Sequence, residues 1–389
     1  MSGTALKLAV VAGEVSGDLL GGDLVAALKL RHDGPVELVG VGGDALEAQG
    51  LKSLFDYSEL SIMGFAQVIK RLPKLLARIR ETADAIIAAK PDALLIIDSP
   101  DFTHRVAKRV RLALPNLPVI NYVCPSVWAW KEYRAQKMLA YVDHVLALLP
   151  FEPAAMQRLG GPTTTYVGHR LTSDPNILET RRRRSLREVS SPDSLKTIML
   201  LPGSRSAEIR QLLPVFQQAV EEFSRRNKNV RYLLPTVPRQ EKLVRGLVAG
   251  WTIQPEIFVG QEDKWKAFAE ADAAMAASGT VILELALAGV PVVSTYKTEL
   301  LATFVLSRIK TWTAALPNLI ADYAVVPELI NTTLRWGWVA RAMERLSNDT
   351  LERTTMLAGY DLVWQRMQTE TPPGDHAAAI LLDVLARKK

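Results

Sequence analysis

Two short stretches in the second half of the chain combine residue types that hold phosphate. Leu201-Pro202-Gly203-Ser204-Arg205 leaves an apolar run through a small-residue turn and sets a fixed cation there, and a planar guanidinium matches phosphate oxygens. Further on, Ala277-Ser278-Gly279-Thr280 opens a helical pattern running from Val281 to Ala288. Hydroxyls and unpaired N–H groups then gather at a helix start, whose partial charge of about +0.5 suits a diphosphate. Glu284, four residues after Thr280, shares its helical face, where a carboxylate can accept both hydroxyls of a ribose. Each residue also has a plainer reading, Arg205 in a surface ion pair with Glu208 and Glu284 as a helix-surface acid. In the first half, Ile96-Ile97-Asp98-Ser99-Pro100-Asp101-Phe102 ends a very apolar run on a carboxylate. Open α/β sheets carry their sites at that edge, where a partly desolvated acid serves as a general base. Position favours Asp98; Asp101 as the base, or a capping role for both, stays open.

Other segments carry chemistry less directly. Gly13-Glu14-Val15-Ser16-Gly17-Asp18 marks another strand-to-helix junction, but it lacks the GxGxxG fingerprint and its acids repel a pyrophosphate, which disfavours a nicotinamide-dinucleotide enzyme. Its plain reading is a turn with Asp18 as a helix cap. Pro125-Ser126-Val127-Trp128-Ala129-Trp130-Lys131 sets two tryptophans one residue apart, either for core packing or as a wall for a sugar ring or acyl chain. The lone cysteine, Cys124, excludes an internal disulfide, and five histidines scattered without HExxH or CxxC spacing predict no metal site. Phe65, Val68, Ile69, Leu72, Leu75, Leu76 and Ile79 fall on one helical stripe, and five cations (Lys70, Arg71, Lys74, Arg78 and Arg80) with no acid lie between Leu60 and Arg80. Such a face lies on anionic membranes, the alternative being a core helix with a solvated basic side. Nucleic acid is the weaker reading, because no aromatic platforms alternate with the cations. Pro73 predicts a kink or two short helices.

The elements that must position these residues follow from the hydrophobic pattern. A length of 389 residues exceeds one ordinary core, and 48% hydrophobic with 23% charged residues excludes disordered and fibrous chains. Apolar runs at Leu6–Ala12, Val36–Gly40, Ala93–Ile97, Val119–Val123 and Val145–Leu148 alternate with helical patterns, the rhythm of a covered parallel sheet. Between Thr172 and Ser194 the chain turns polar, carries Arg181-Arg182-Arg183-Arg184 and reads as a linker. The rhythm restarts at Thr197–Leu201, Val230–Leu234, Ile253–Val259, Ala273–Ala276 and Val290–Thr295, and after Pro327 it is purely helical. The expected fold is therefore α/β, with two doubly wound Rossmann-like domains over 1–175 and 176–345. Helices over 346–389 are expected to pack back on the N-terminal domain or on a partner chain. The N-terminal run has no cleavage site, and the most apolar stretch, Val281 to Tyr296, falls short of the ~20 residues a bilayer needs. A cytoplasmic chain is expected. Its net charge of +6 is nearly matched by the basic stripe alone.

The motifs above, taken in order with Ile62-Met63-Gly64-Phe65, Leu149-Pro150-Phe151-Glu152, Tyr166-Val167-Gly168-His169 and Pro317-Asn318-Leu319-Ile320-Ala321, resemble the lipid-A-disaccharide synthase family from residue 12 to about residue 330. The resemblance implies an inverting GT-B glycosyltransferase with a cleft between two domains and no cofactor. Such an enzyme joins UDP-2,3-diacylglucosamine to 2,3-diacylglucosamine 1-phosphate, releases UDP and yields the tetraacyl disaccharide 1-phosphate precursor of lipid A. It implies peripheral attachment to the anionic cytoplasmic face of a Gram-negative inner membrane, through Phe65, Val68, Ile69, Lys70, Arg71, Leu72, Lys74, Leu75 and Leu76. Asp98 and Arg205 become catalytic under this reading. Gly203, Ser204, Ser278, Gly279, Thr280, Glu284 and Asn318 fall on the donor side, and Gly13, Glu14, Ser16, Asp18 and Trp128 on the acceptor side. A homodimer stays open. Arg170, Cys124 and Lys131 depart from the family's more usual proline, serine and arginine, which leaves acyl preference open. The alternatives are another GT-B enzyme acting on UDP-N-acetylglucosamine, lipid II transferase-like or 2-epimerase-like, and a catalytically silent membrane-surface protein that binds sugar nucleotide.

Overall fold

Parallel strands covered by helices on both faces have no solvent side, so their sequences run apolar throughout. The computed structural model describes residues 4–60, 65–187, 194–297 and 310–388, with the backbone alone for 65–72 and 388. Strands β1 (Leu6–Ala12), β2 (Val36–Val41), β3 (Ala93–Ile97), β4 (Val119–Tyr122), β5 (His144–Ala147) and β6 (Thr163–Tyr166) form one parallel sheet in the order β2-β1-β3-β4-β5-β6. Strands β7 (Lys196–Leu201), β8 (Val230–Thr236), β9 (Glu256–Val259), β10 (Ala273–Ala277), β11 (Val292–Tyr296) and β12 (Glu328–Ile330) form a second, ordered β12-β11-β10-β7-β8-β9. Strand order reverses between β1 and β3 in the first sheet and between β7 and β10 in the second. At such a switch point the flanking loops part and leave a crevice at the carboxyl ends of the strands.

The chain divides into two compact units, residues 1–170 with 369–389 and residues 171–368. Alternation along the strands of the first unit builds a core on each face of its sheet. Val11, Leu94 and Ile96 pack on one side, and Leu8, Val10, Leu95 and Ile97 on the other. The second of these cores takes in Ala377, Ala378, Leu381 and Leu385 of the last helix, Pro373–Lys388, which lies against the helix Val15–Arg31. The helices Trp336–Leu346 and Leu351–Met367 belong to the other unit.

Three local expectations are corrected. The stretch read as a linker contains the helix Pro175–Ser185, started by Asp174, whose side chain accepts the Asn176 N–H at 2.8 Å. Two of its arginines point at carbonyls left open by helix ends: Arg181 donates to Leu287 O at 3.2 Å, and Arg184 donates to Gly289 O at 2.8 Å and to Ala271 O. A polar run is thus a docked helix, because cations near helix C-termini answer unpaired carbonyls. Strand β12 interrupts the stretch expected to be purely helical, and β6 arises from Thr163-Thr164-Thr165-Tyr166. Neither gives an apolar run of strand length, since β6 is mostly threonine and β12 is only 3 residues long. Lastly, of the two outcomes expected at Pro73, two short helices are excluded, since the helix Phe65–Ala89 is continuous through it. A mid-helix proline costs about 3 kcal/mol, while burying Ile79 and Ile86 is worth roughly 1.5–3 kcal/mol each, so packing wins. No helix among the described residues is long and apolar enough to cross a membrane.

Candidate active site

In the second unit, the loops after β7 and β10 flank the switch point and enclose a pocket of about 490 Å³. Gly203, Ser204, Arg205, Ser278, Gly279, Thr280 and Glu284 all line it. Gly203 is required there, since its φ of +108° is left-handed and an added Cβ would lie 2.6 Å from Glu208 Oε2. The helices Ser206–Arg226 and Thr280–Ala288 both start at this pocket, so two positive helix ends converge on it. Arg205 is 70% exposed and forms the ion pair with Glu208, at 2.8 Å. Exposed pairs of this kind contribute little, so little stability would be lost if the guanidinium turned to an anion. Glu284 is not a bare surface acid: Lys264 Nζ lies 2.5 Å away, with both side chains mostly buried. Sequence reasoning missed Lys264. Its signal was a further strand-to-helix junction, β9 into the helix Gln261–Glu270, whose Gly260 and Gln261 also line the pocket.

In the first unit, the β1 and β3 loops meet at the other switch point. Gly13 permits this approach, since a Cβ there would sit 2.7 Å from Ser99 Cβ and Oγ. Asp98 and Ser99 adopt φ of 51° and 43°, and Val123, on the neighbouring β4 loop, φ of 77°. A left-handed conformation is tolerated by aspartate but costs residues such as Ser99 and Val123 of order 1–3 kcal/mol each, and such strain clusters at functional sites. Asp98 is half-buried; its N–H donates to Tyr122 O at 3.1 Å, and its Oδ1 accepts the Ser99 N–H at 2.8 Å. Asp101 lies exposed on the first turn of the helix Pro100–Ala113, 3.9 Å from Arg134. Glu14 and Ser16 are exposed at the start of the helix Val15–Arg31. Trp128 is half-buried, edge-on to Phe151 with ring centroids 5.0 Å apart, while Trp130 is exposed with Lys131 Nζ 4.0 Å from its ring centroid.

Two expected site residues belong to the scaffold. Asp18 is buried and accepts N–H bonds from Gly43 at 2.7 Å, Ala45 at 2.9 Å and Leu46 at 3.2 Å, so its carboxylate orders the turn after β2 rather than facing a ligand. Asn318 is 1% exposed and its amide is fully committed. It donates to Thr313 Oγ1 at 3.1 Å and Val326 O at 2.9 Å and accepts from Val325 N at 2.9 Å and Val326 N at 2.7 Å, leaving nothing to offer a donor sugar. The basic stripe is also less one-sided than its sequence window. Glu59, one residue outside that window, lies 3.2 Å from Lys74 and 2.9 Å from Arg78. Leu75 packs against the core, whereas Leu76 is 47% exposed. The side chains of Phe65, Val68, Ile69, Lys70, Arg71 and Leu72, and the segment Ile62-Met63-Gly64, lie outside the described residues.

Two Rossmann-like units in tandem, with chemistry-bearing loops at both switch points, give the chain the GT-B fold. Among solved structures, Acinetobacter baumannii MurG overlays it with a TM-score of 0.56 at 17% identity, covering 99% of this chain and 100% of that one. S. aureus MnaA, solved with UDP, gives 0.57 at 14% identity, over 97% of this chain and 95% of that one. At those identities the likeness is one of fold. Sequence is more specific: the family model described as lipid-A-disaccharide synthetase matches residues 8–371. The lipid-A-disaccharide synthase of Nitrobacter winogradskyi is 44% identical, covering 98% of this chain and 96% of that protein, and that of Rhodospirillum centenum is 39% identical over the same shares. The chain belongs to the lipid-A-disaccharide synthase family.

Proposed function

We propose that this chain condenses UDP-2,3-diacylglucosamine with 2,3-diacylglucosamine 1-phosphate, forming the tetraacyl disaccharide 1-phosphate with inversion and releasing UDP. The observation that carries this reading is the convergence of Gly203 to Arg205 and Ser278 to Glu284 on one pocket in a member of that family. In it, Arg205 and the start of the helix Thr280–Ala288 take up charge as the diphosphate departs, and Glu284, held by Lys264, accepts the ribose hydroxyls. Asp98 withdraws the proton of the attacking acceptor hydroxyl, and its half-buried position on a strained loop supports that role. Trp128, with Glu14 and Ser16, lines the acceptor side. The N-terminal half of the helix Phe65–Ala89 rests on the anionic cytoplasmic face of the inner membrane, a reading supported by its apolar pattern and by exposed Leu76.

The test is incubation with the two acylated substrates. Disaccharide 1-phosphate and UDP are expected in equal amounts. Turnover of unacylated UDP-N-acetylglucosamine with no acylated disaccharide would overturn the reading in favour of another GT-B activity.

A further inference from the structure

Leu149-Pro150-Phe151-Glu152 is a motif that the proposed reaction leaves without a role, and its acid is placed unusually. Glu152 opens the helix Glu152–Arg158, yet it is 3% exposed. Its Oε2 accepts the backbone N–H groups of Leu148 and Leu149 at 3.2 and 3.0 Å, and its Oε1 accepts the indole N–H of Trp128 at 3.3 Å. Phe151 meets the same indole edge-on. Trp128 is therefore clamped by two consecutive residues of another loop. The hydrogen-bond partners found for this carboxylate are three neutral donors, and burial without a cation pushes its carboxyl up to about 7. The other titratable groups that face it are the Cys124 thiol and the Tyr166 hydroxyl. Both are pushed up, mainly by burial and further by the charge of Glu152. An uncompensated buried carboxylate is costly. A glutamine does not replace it well, since three converging donors leave no place for an NH₂ group.

We propose that Glu152 is a positioning residue that fixes the Trp128 indole as a wall of the acceptor-sugar site, and that loss of its charge releases the indole and weakens acceptor binding. This rests on the assignment of Trp128 to the acceptor side.

Steady-state kinetics at saturating UDP-2,3-diacylglucosamine, varying 2,3-diacylglucosamine 1-phosphate, separate the two claims. Trp128→Ala and Glu152→Gln are each expected to raise the acceptor KM on the order of tenfold, with kcat changed less than about threefold, and the double variant should be no worse than Trp128→Ala alone. An unchanged acceptor KM in Trp128→Ala overturns the assignment of Trp128, and the role of Glu152 with it. A raised KM in Trp128→Ala with a normal one in Glu152→Gln, or additive effects in the double variant, overturns the role of Glu152 alone. A pH profile keeps the test decisive if Glu152→Gln does not fold. For the unaltered chain, kcat/KM for the acceptor should fall as pH drops through about 7. In Trp128→Phe, which has no N–H for Glu152 to hold, that limb should vanish, and its persistence refutes the proposal.

Discussion

The Asp98→Asn substitution separates the chemistry of the β3 loop from its architecture. Asp98 sits at φ 51°, a conformation that asparagine and aspartate both adopt readily, and its Oδ1 accepts the Ser99 N–H at 2.8 Å, which an asparagine carbonyl also does. The strained loop therefore survives while the basic oxygen is lost. A positioned general base contributes about 10²–10⁴ in rate, so kcat should fall by that factor, about 3–5 kcal/mol of barrier, with UDP affinity unchanged. Alanine gives the contrast. It adopts the left-handed region at a cost of roughly 1–2 kcal/mol and leaves the Ser99 N–H without its acceptor for about 1 kcal/mol more. For a unit of about 190 residues, Asp98→Ala should then lower Tm by roughly 4–12 °C, against about 1 °C for Asp98→Asn. Disaccharide formation, UDP titration and calorimetry on the three proteins make the assay. If Asp98→Asn keeps more than a tenth of kcat, the carboxylate is not the base; if it loses as much Tm as Asp98→Ala, its role is structural.

Other outcomes follow from single placements. Arg205→Ala should lose about 10²–10³ in kcat with little change in Tm, because the side chain is largely exposed; full activity would remove Arg205 from the departing diphosphate. Burial holds His104 down to about 4 from an ordinary 6.5, so the unfolded chain takes the proton first as pH falls. The stability this gives is complete above pH 6.5 and is lost on descending to pH 4, up to about 3 kcal/mol; His104→Gln should flatten that limb in urea unfolding, and an unaltered slope would sink the assignment. Leu76→Ser should reduce partition onto anionic phospholipid vesicles with Tm unchanged, whereas Leu75→Ser should lower Tm. Unchanged partition would return the segment to a solvated core helix.

Much of this protein was legible locally. Central strands buried on both faces must read as apolar runs, and a loop at the carboxyl end of such a strand is where small residues, a lone arginine or a carboxylate stand out. Gly203 to Arg205, Ser278 to Thr280, Glu284 and Asp98 were therefore singled out from type and position, and the structure puts them at the two switch points. The strands β6 and β12 were not legible, because the first is three threonines and a tyrosine and the second is only 3 residues long, so neither makes an apolar run. Tertiary structure alone decided the partners. Lys264 reaches Glu284 from a helix 20 residues away in sequence, Glu59 answers Lys74 and Arg78, Asp18 is spent on the turn at 43–46, and the four hydrogen bonds of Asn318 are spent on its own surroundings. Glu152 reaches Trp128 only because β4 and β5 are neighbours in the sheet. Periodicity is a property of a few consecutive residues, whereas charge pairing and burial depend on which distant loops the order of strands brings together, and a window of sequence does not contain that order.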